Sequence, residues 1–293
     1  MMSIDLDLLL KAYASGIFPM ADSRDDPETF WVEPKTRAVI PLNGFKMSRS
    51  LRKTIRSDKF RVTADQAFGE VITICAQASD DRRETWINAD IEQAFCDLHE
   101  QGMTHSVECW LADDSGKEKL VGGLYGLVVG GAFCGESMFS RERDASKVAL
   151  AWLVARLKVG GFSLLDCQFM TDHLASLGAI EISQEEYVEA LFAAQVHSTH
   201  HSPVLSSIRL PIKSSGSAEG AGVGRDRGVA GLGAAVGAGA TVSDSSGAVA
   251  FGALDDLLAA LESDERGAVG STASSGASSS PGKLISHFLT QTS

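Results

Sequence analysis

The chain has 293 residues, 44% of them apolar, which is enough to fill a sizeable core. A formal charge of −12 speaks against general affinity for nucleic acid, and five scattered cysteines, with no CxxC pair and no histidine at zinc spacing, exclude a disulfide framework and a zinc module. No apolar run approaches the roughly 20 residues that cross a bilayer, and Met1 to Asp7 has no leader-like basic and apolar pattern, so a soluble cytoplasmic protein without membrane partner or metal is expected.

Leu6, Leu9, Leu10 and Tyr13 at helical spacing predict a helix over 5–15, stopped at Gly16. Ile17 to Met20 turns into a polar loop, and Phe30-Trp31-Val32 and Arg37-Ala38-Val39-Ile40 read as short strands parted by Pro34. Ser48 is placed to cap a helix running to Ser57, with Arg49, Arg52, Lys53 and Arg56 on one face. These four belong to a tract of nine cations from Lys35 to Arg61 against one acid, Asp58, which is either a local polyanion site or a solvated basic face. Phe60 to Thr63 reads as a strand, and 67–78 and 88–101 as helices, the second closed by Gly102.

From His105 the period changes to two. His105 to Trp110, Leu120 to Val129 and Ala132 to Met138, joined at Asp113–Gly116 and Gly130-Gly131, predict an antiparallel meander. An amphipathic helix over 144–157 follows, then a buried strand over 162–169, a short helix over 173–177, a strand over 180–183 and a last helix over 185–194. This is the element order of the GNAT acyltransferase fold, whose strands on either side of the central helix splay to admit an acyl donor. The expected class is α+β: a GNAT-like catalytic domain with a mixed sheet and flanking helices over 63–196, preceded by a small, reduced α+β N-terminal domain over 1–62. Residues 197–293 form a Gly/Ser/Ala-rich tail, expected to be mostly disordered because so few large side chains cannot offset the entropy of ordering it. Within it Phe251 to Leu261 has helical spacing, but a segment this short is marginal on its own in water.

Several stretches occur together, in order, over most of 8–190. They include Gly16-Ile17-Phe18-Pro19, Arg37-Ala38-Val39, Thr85-Trp86-Ile87, Val121-Gly122-Gly123-Leu124-Tyr125-Gly126, Gly135-Glu136-Ser137-Met138-Phe139-Ser140, Asp166-Cys167-Gln168 and Ala175-Ser176-Leu177-Gly178-Ala179. As an ordered set they resemble the leucyl/phenylalanyl-tRNA–protein transferases. The resemblance implies attack by the α-amino group of a protein beginning with Arg or Lys on the ester carbonyl of Leu-tRNA or Phe-tRNA, and to a lesser extent of a Met ester. The product has a new apolar N-terminus and feeds N-terminal-residue-dependent degradation. It implies no cofactor, since the ester is already activated.

The same resemblance points to site residues. Asp166 and Gln168 alternate with Leu165, Cys167 and Phe169, so both polar side chains fall on one face of the expected strand, Cys167 on the other. A charge in an apolar strand needs a partner or a function. The resemblance implies that Asp166 holds the α-amino group and that Gln168 positions it or takes part in proton transfer; a glutamine is a poor base, so a tRNA hydroxyl is the competing route. Glu136 is expected to contact the donor's amino group or terminal adenosine, unless it pairs with Arg141 or Arg143. Leu124, Phe133, Met138 and Leu165 are expected to line the donor side-chain pocket, with Leu150 and Leu157 more at home in the core. Trp31 and Trp86 either stack on the terminal adenine or pack between domains. Arg49, Arg52, Lys53 and Arg56 are the expected tRNA-binding residues. His173 is expected to cap or pack, and Thr171, standing where many members of that family have Asn, leaves the partner of Gln168 open. Two other readings stand beside this one: an acyl-CoA-dependent N-acyltransferase, opposed by the lack of glycine in Ser140 to Lys147 where a pyrophosphate cradle belongs, and a non-catalytic tRNA- or N-terminus-binding adaptor.

Overall fold

The computed structural model describes residues 4–77, 85–197, 251–259 and 280–291. Helix α1 (Leu6–Ala14) starts on Asp5, whose carboxylate accepts from Leu8 N at 2.9 Å. Gly16, at φ 83°, ends the run. Beyond it β1 (Phe18–Met20) and β2 (Phe30–Val32) make an antiparallel ribbon, with the expected polar loop, Asp22 to Glu28, between them. Strand β3 (Thr36–Val39) then leaves the ribbon for the main sheet.

Helix α2 (Arg49–Arg56) begins as expected on Ser48, whose Oγ accepts from Leu51 N at 3.0 Å. There follow β4 (Arg61–Ala64), α3 (Phe68–Cys75), α4 (Ala89–Glu100), the meander β5 (Thr104–Ala112), β6 (Glu118–Val129) and β7 (Ala132–Ser140), α5 (Ala145–Val159), β8 (Leu164–Asp166), α6 (Asp172–Ser176), β9 (Ile180–Ser183) and α7 (Gln184–His197). The seven strands lie in the order β4-β5-β6-β7-β8-β3-β9, with β7 and β8 parallel and the other neighbours antiparallel. The fold is therefore α+β with a mixed sheet, and the sheet takes strands from both sides of position 62, the boundary expected from the sequence. The buried strand expected over 162–169 is only three residues long, because Gln168 adopts φ 53° and turns the chain away.

Two cores flank the sheet. On one face Tyr13, Ile72, Phe95 and Tyr187 bring α1, α3, α4 and α7 together; on the other, α5 packs with Leu51 and Ile55 of α2. Helix α5 is covered on all sides, where its spacing suggested one exposed face. The cover comes from the tail, and this corrects the expectation of disorder for part of it. Helix α8 (251–259) and helix α9 (Pro281–Gln291) dock against α5 and α2, burying Phe251, Leu254, Ile285 and Leu289. Phe251 stacks on His105 at 4.0 Å and on Phe133 at 5.8 Å, and its carbonyl accepts from Arg156 at 2.8 Å. Arg156, 2% exposed, also makes a bidentate pair with Asp255 at 2.6 and 2.7 Å. The rest of the tail lies outside the described residues. Among the described residues no helix is long and apolar enough to cross a membrane.

Candidate active site

Strands β7 and β8 pair only from Ala132↔Leu164 to Cys134↔Asp166. Past that point β7 runs on to Ser140 beside β6 alone, while the chain after Asp166 turns away, and a cleft of about 670 Å³ opens between them. Leu124, Met138, Leu150, Leu153 and Leu165 make one wall apolar; Phe18, Met20 and Trp86 close it from the N-terminal side.

A β-bulge aims an acid into this cleft. Tyr125 pairs with Ser137 and Gly126 with Gly135, so Glu136 is the extra residue on β7. Gly126 has to be glycine here: a Cβ would lie 2.4 Å from the Phe133 ring and from Cys134 O. Burial pushes the Glu136 carboxyl up to about 8; the facing Tyr13 phenol opposes this, the Asp166 charge adds to it, and Arg37 and the Gln168 amide again oppose it. Glu136 Oε1 accepts from Gln168 Nε2 at 3.0 Å.

Gln168 is held in its left-handed backbone by its neighbours. Its N–H donates to Asp166 Oδ1 at 2.9 Å, and its carbonyl accepts from Ala38 N at 3.0 Å. Asp166, fully buried, is taken up on every side. Arg37 Nε and Nη2 donate to Oδ1 and Oδ2 at 2.9 and 2.7 Å, and Tyr187 Oη donates to Oδ2 at 3.1 Å. Arg37 is itself 1% exposed, gives Nη1 to Gly16 O at 2.9 Å, and lies between the rings of Phe18 and Tyr187 at 4.8 and 4.3 Å. Burial works against its charge, but the Asp166 carboxylate more than restores it and holds its pKa above normal. A line of hydrogen bonds thus runs from Arg37 to Asp166, through the Gln168 backbone N–H, and from the Gln168 amide to Glu136, with the last two side chains facing the cleft.

Sequence reasoning counted Arg37 as one of nine surface cations; its place behind Asp166 depends on β3 lying next to β8. The signal available was the motif Arg37-Ala38-Val39 itself, a charge followed by a wholly apolar strand. Of the expected pocket residues, Leu124, Met138 and Leu165 line the cleft, as do Glu136, Gln168 and Trp86. Phe133 does not: it lies on the same face of the sheet as Leu124 and Leu165 but further along, where its ring is covered by Phe251 in the core. Trp31 does not either, but packs half-buried on β2 against the N-terminal core. Leu150 lines the cleft and Leu157 is core. Cys167 lines the cleft too, contrary to the alternation argument, since the chain has left the strand; burial and then the Asp166 charge push its thiol well up, away from nucleophilic use. His173 also reaches the cleft wall, with its pKa lowered by burial and then by Lys147. The cap of α6 is Thr171, whose Oγ1 accepts from Leu174 N at 3.2 Å, and the side-chain partner of Gln168 is Glu136.

The basic tract divides. Arg37 is internal, Lys59 pairs with Glu142 at 3.4 Å, and Arg61 is bidentate with Glu118 at 2.7 Å. Arg49, Arg52, Lys53 and Arg56 are exposed on α2 and make no ion pair with any described residue. Helix α2 borders the start of α5: Thr54 Oγ1 donates to Asp144 Oδ2 at 3.4 Å. Among the described residues no group of three or more His, Cys, Asp or Glu side chains is placed to hold a metal ion.

Comparison with known proteins agrees over both halves of the described core. Residues 39–192 match the family model described as leucyl/phenylalanyl-tRNA protein transferase, and residues 2–35 match the model for that family's N-terminal domain. A leucyl/phenylalanyl-tRNA–protein transferase of Novosphingobium aromaticivorans is 49% identical over 291 residues, 99% of this chain and 97% of the relative. Transferases of the same name from Rhizorhabdus wittichii and Zymomonas mobilis are 62% and 61% identical over 194 and 191 residues, covering 66% and 65% of this chain and 76% and 69% of theirs. The cleft residues and Asp166 lie within the spans of the two family models, and the chain belongs to the leucyl/phenylalanyl-tRNA–protein transferase family.

Proposed function

We propose that the protein moves Leu or Phe, and less efficiently Met, from charged tRNA to the α-amino group of proteins beginning with Arg or Lys, in the cytoplasm, and that the products enter N-terminal-residue-dependent degradation. The observation that carries this reading is an apolar cleft whose floor presents one amide and one acid, Gln168 and Glu136, held in contact at 3.0 Å. The donor side chain occupies the apolar wall at Leu124, Met138 and Leu165. A pocket of this kind changes affinity by only ~1–3 kcal/mol per methylene, so it accepts Leu, Phe and Met together. The donor's cationic amino group meets Glu136 and favours its carboxylate form. Trp86 offers a face to the terminal adenine; Trp31, away from the cleft, is assigned to packing.

In the reaction the acceptor nitrogen forms a bond to the ester carbonyl carbon, the bond from that carbon to the ribose oxygen breaks, and the proton lost by the amine ends on that oxygen. Gln168 orients the amine or the carbonyl. Asp166, with both oxygens engaged, acts through Gln168 as a positioning residue and does not touch the amine. The divergence of β7 and β8 supports a GNAT-like catalytic domain. An acyl-CoA donor fits less well. Ala145 N and Ser146 N at the start of α5 are already given to Glu142 O and Ser140 Oγ, at 3.1 and 3.2 Å, and hold no pyrophosphate cradle.

Incubation with radiolabelled Leu-tRNA or Phe-tRNA and a peptide beginning with Arg is expected to place label on the peptide. Gln168→Ala, with an unchanged melting curve, is expected to lower that rate by about 100-fold or more. Label transfer at the wild-type rate by this variant removes Gln168 from the reaction; no transfer by the parent protein leaves the adaptor reading.

Helix α2 gives a second test. Arg52→Glu with Lys53→Glu is expected to raise the KM for charged tRNA and flatten its dependence on salt, because each lost phosphate contact releases fewer counterions. The loss is expected to be alike for Leu-tRNA and Phe-tRNA, with the peptide KM unmoved. An unaltered tRNA KM and salt slope return α2 to a solvated face.

A further inference from the structure

We propose that Arg141 binds the phosphate nearest the reacting ester and begins a phosphate track that leads from the cleft mouth onto α2; this rests on the reading of the donor as a charged tRNA. Arg141 follows directly on β7, and its backbone is tied down where it leaves the ladder: its N–H donates to Val121 O at 2.7 Å. Its side chain lines the cleft, lies 5.8 Å from the centre of the Phe139 ring and gives Nη2 to Gln77 Oε1 at 3.4 Å. A ring below and an amide beside it hold a long cation in one region, which lowers the entropy lost when it takes a ligand.

No described carboxylate pairs with Arg141, so the alternative reading of Glu136, a bridge to Arg141 or Arg143, is not what the structure has. The acids next to it are engaged elsewhere. Glu142 pairs with Lys59 at 3.4 Å, and Asp144 lies 3.9 Å from Arg143 Nε and accepts from Thr54. In a chain of net charge −12, an exposed guanidinium without a described carboxylate partner, at the mouth of an apolar cleft, is a donor fork suited to an anion outside the protein. A phosphodiester fits the position, because the cleft behind it accepts an uncharged side chain. The contacts Lys59–Glu142 and Thr54–Asp144 also tie the loop after Arg141 to α2, so the exposed cations of α2 continue along the same rim. The arginine at the mouth serves the terminal nucleotide, and those on α2 serve phosphates further along.

The test compares donors that differ by one phosphate: phenylalanyl-adenosine, phenylalanyl-adenosine 5′-phosphate and Phe-tRNA, each with the Arg-initiated peptide. Arg141→Ala is expected to raise KM about tenfold for the two donors that carry a phosphate and to leave KM for phenylalanyl-adenosine unchanged, with kcat the same throughout. Arg141→Lys is expected to recover part of the loss as a point charge. An equal loss on all three donors, or no loss on any, overturns the assignment. Transfer by the parent protein from none of the three overturns the donor reading as well.

Discussion

Asp166→Ala is expected to destabilise the protein by roughly 3–5 kcal/mol, because it leaves the Arg37 guanidinium buried without its counter-charge. By volume alone the change is small, since one short side chain leaves and no large space is emptied. Its bidentate bond to Arg37 is what makes the loss large. Chemical denaturation of the variant against the parent measures the loss, and a midpoint like the parent's would show that water or another group takes up Arg37. Transfer is expected to fall as well, since the Gln168 N–H loses its acceptor and with it part of the hold on a left-handed backbone. Stability and chemistry then separate in the double variant Arg37→Met with Asp166→Leu. Replacing both charges by apolar groups recovers most of the folding free energy, as buried ion pairs often allow, while activity stays lost. If that variant regains transfer, the pair has no part in presenting Gln168.

Removal of residues 251–293 is expected to lower the melting temperature by about 10 °C or more. A 1 kcal/mol change shifts a domain of 150–250 residues by about 2–4 °C, and Phe251, Leu254, Ile285 and Leu289 each lose full burial at ~1.5–3 kcal/mol per side chain. The truncation also uncovers the outer side of α5 and the rings of His105 and Phe133, which favours aggregation. Phe251→Ala is expected to show the same direction alone, by about 3–5 kcal/mol. Deleting 213–282, harmless by composition, takes Phe251, Leu254 and Asp255 with it and is expected to be costly for that reason. Calorimetry decides: an unchanged transition in the truncated chain would mean that α8 and α9 contribute nothing to the core.

One clue to the docked tail was present in the sequence. Residues 145–157 carry Val148, Ala149, Leu150, Ala151, Trp152, Leu153, Val154, Ala155 and Leu157, apolar around the whole helix and not on one stripe, which means burial from all sides. Beyond residue 195, Leu254, Leu257, Leu258 and Leu261, and then Leu284, Ile285, Phe288 and Leu289, stand at helical spacing.

Local rules were enough for the helices and the meander. Ser48, Asn88 and Thr171 each accept the capping bond that starts a helix, Gly16, Gly102 and Gly178 supply the positive φ that ends one, and alternation marks β5 to β7. The ordered motifs were likewise enough for the family and for the prominence of Glu136, Asp166 and Gln168. Position in space was a different matter. Alternation assigned Asp166 and Gln168 to one face of one strand, but their relation comes from a backbone turn at φ 53° that no periodicity announces. Arg37 reaches Asp166 across 129 positions of sequence, and Phe251 reaches His105 across 146. A charge's partner, and the ring that covers Phe133, depend on which distant segment closes over it. Propensity and spacing act over a few residues, and so they determined what the pieces of this protein are; the packing of the sheet against α5 and the tail decided which side chains line the cleft and which are buried behind it.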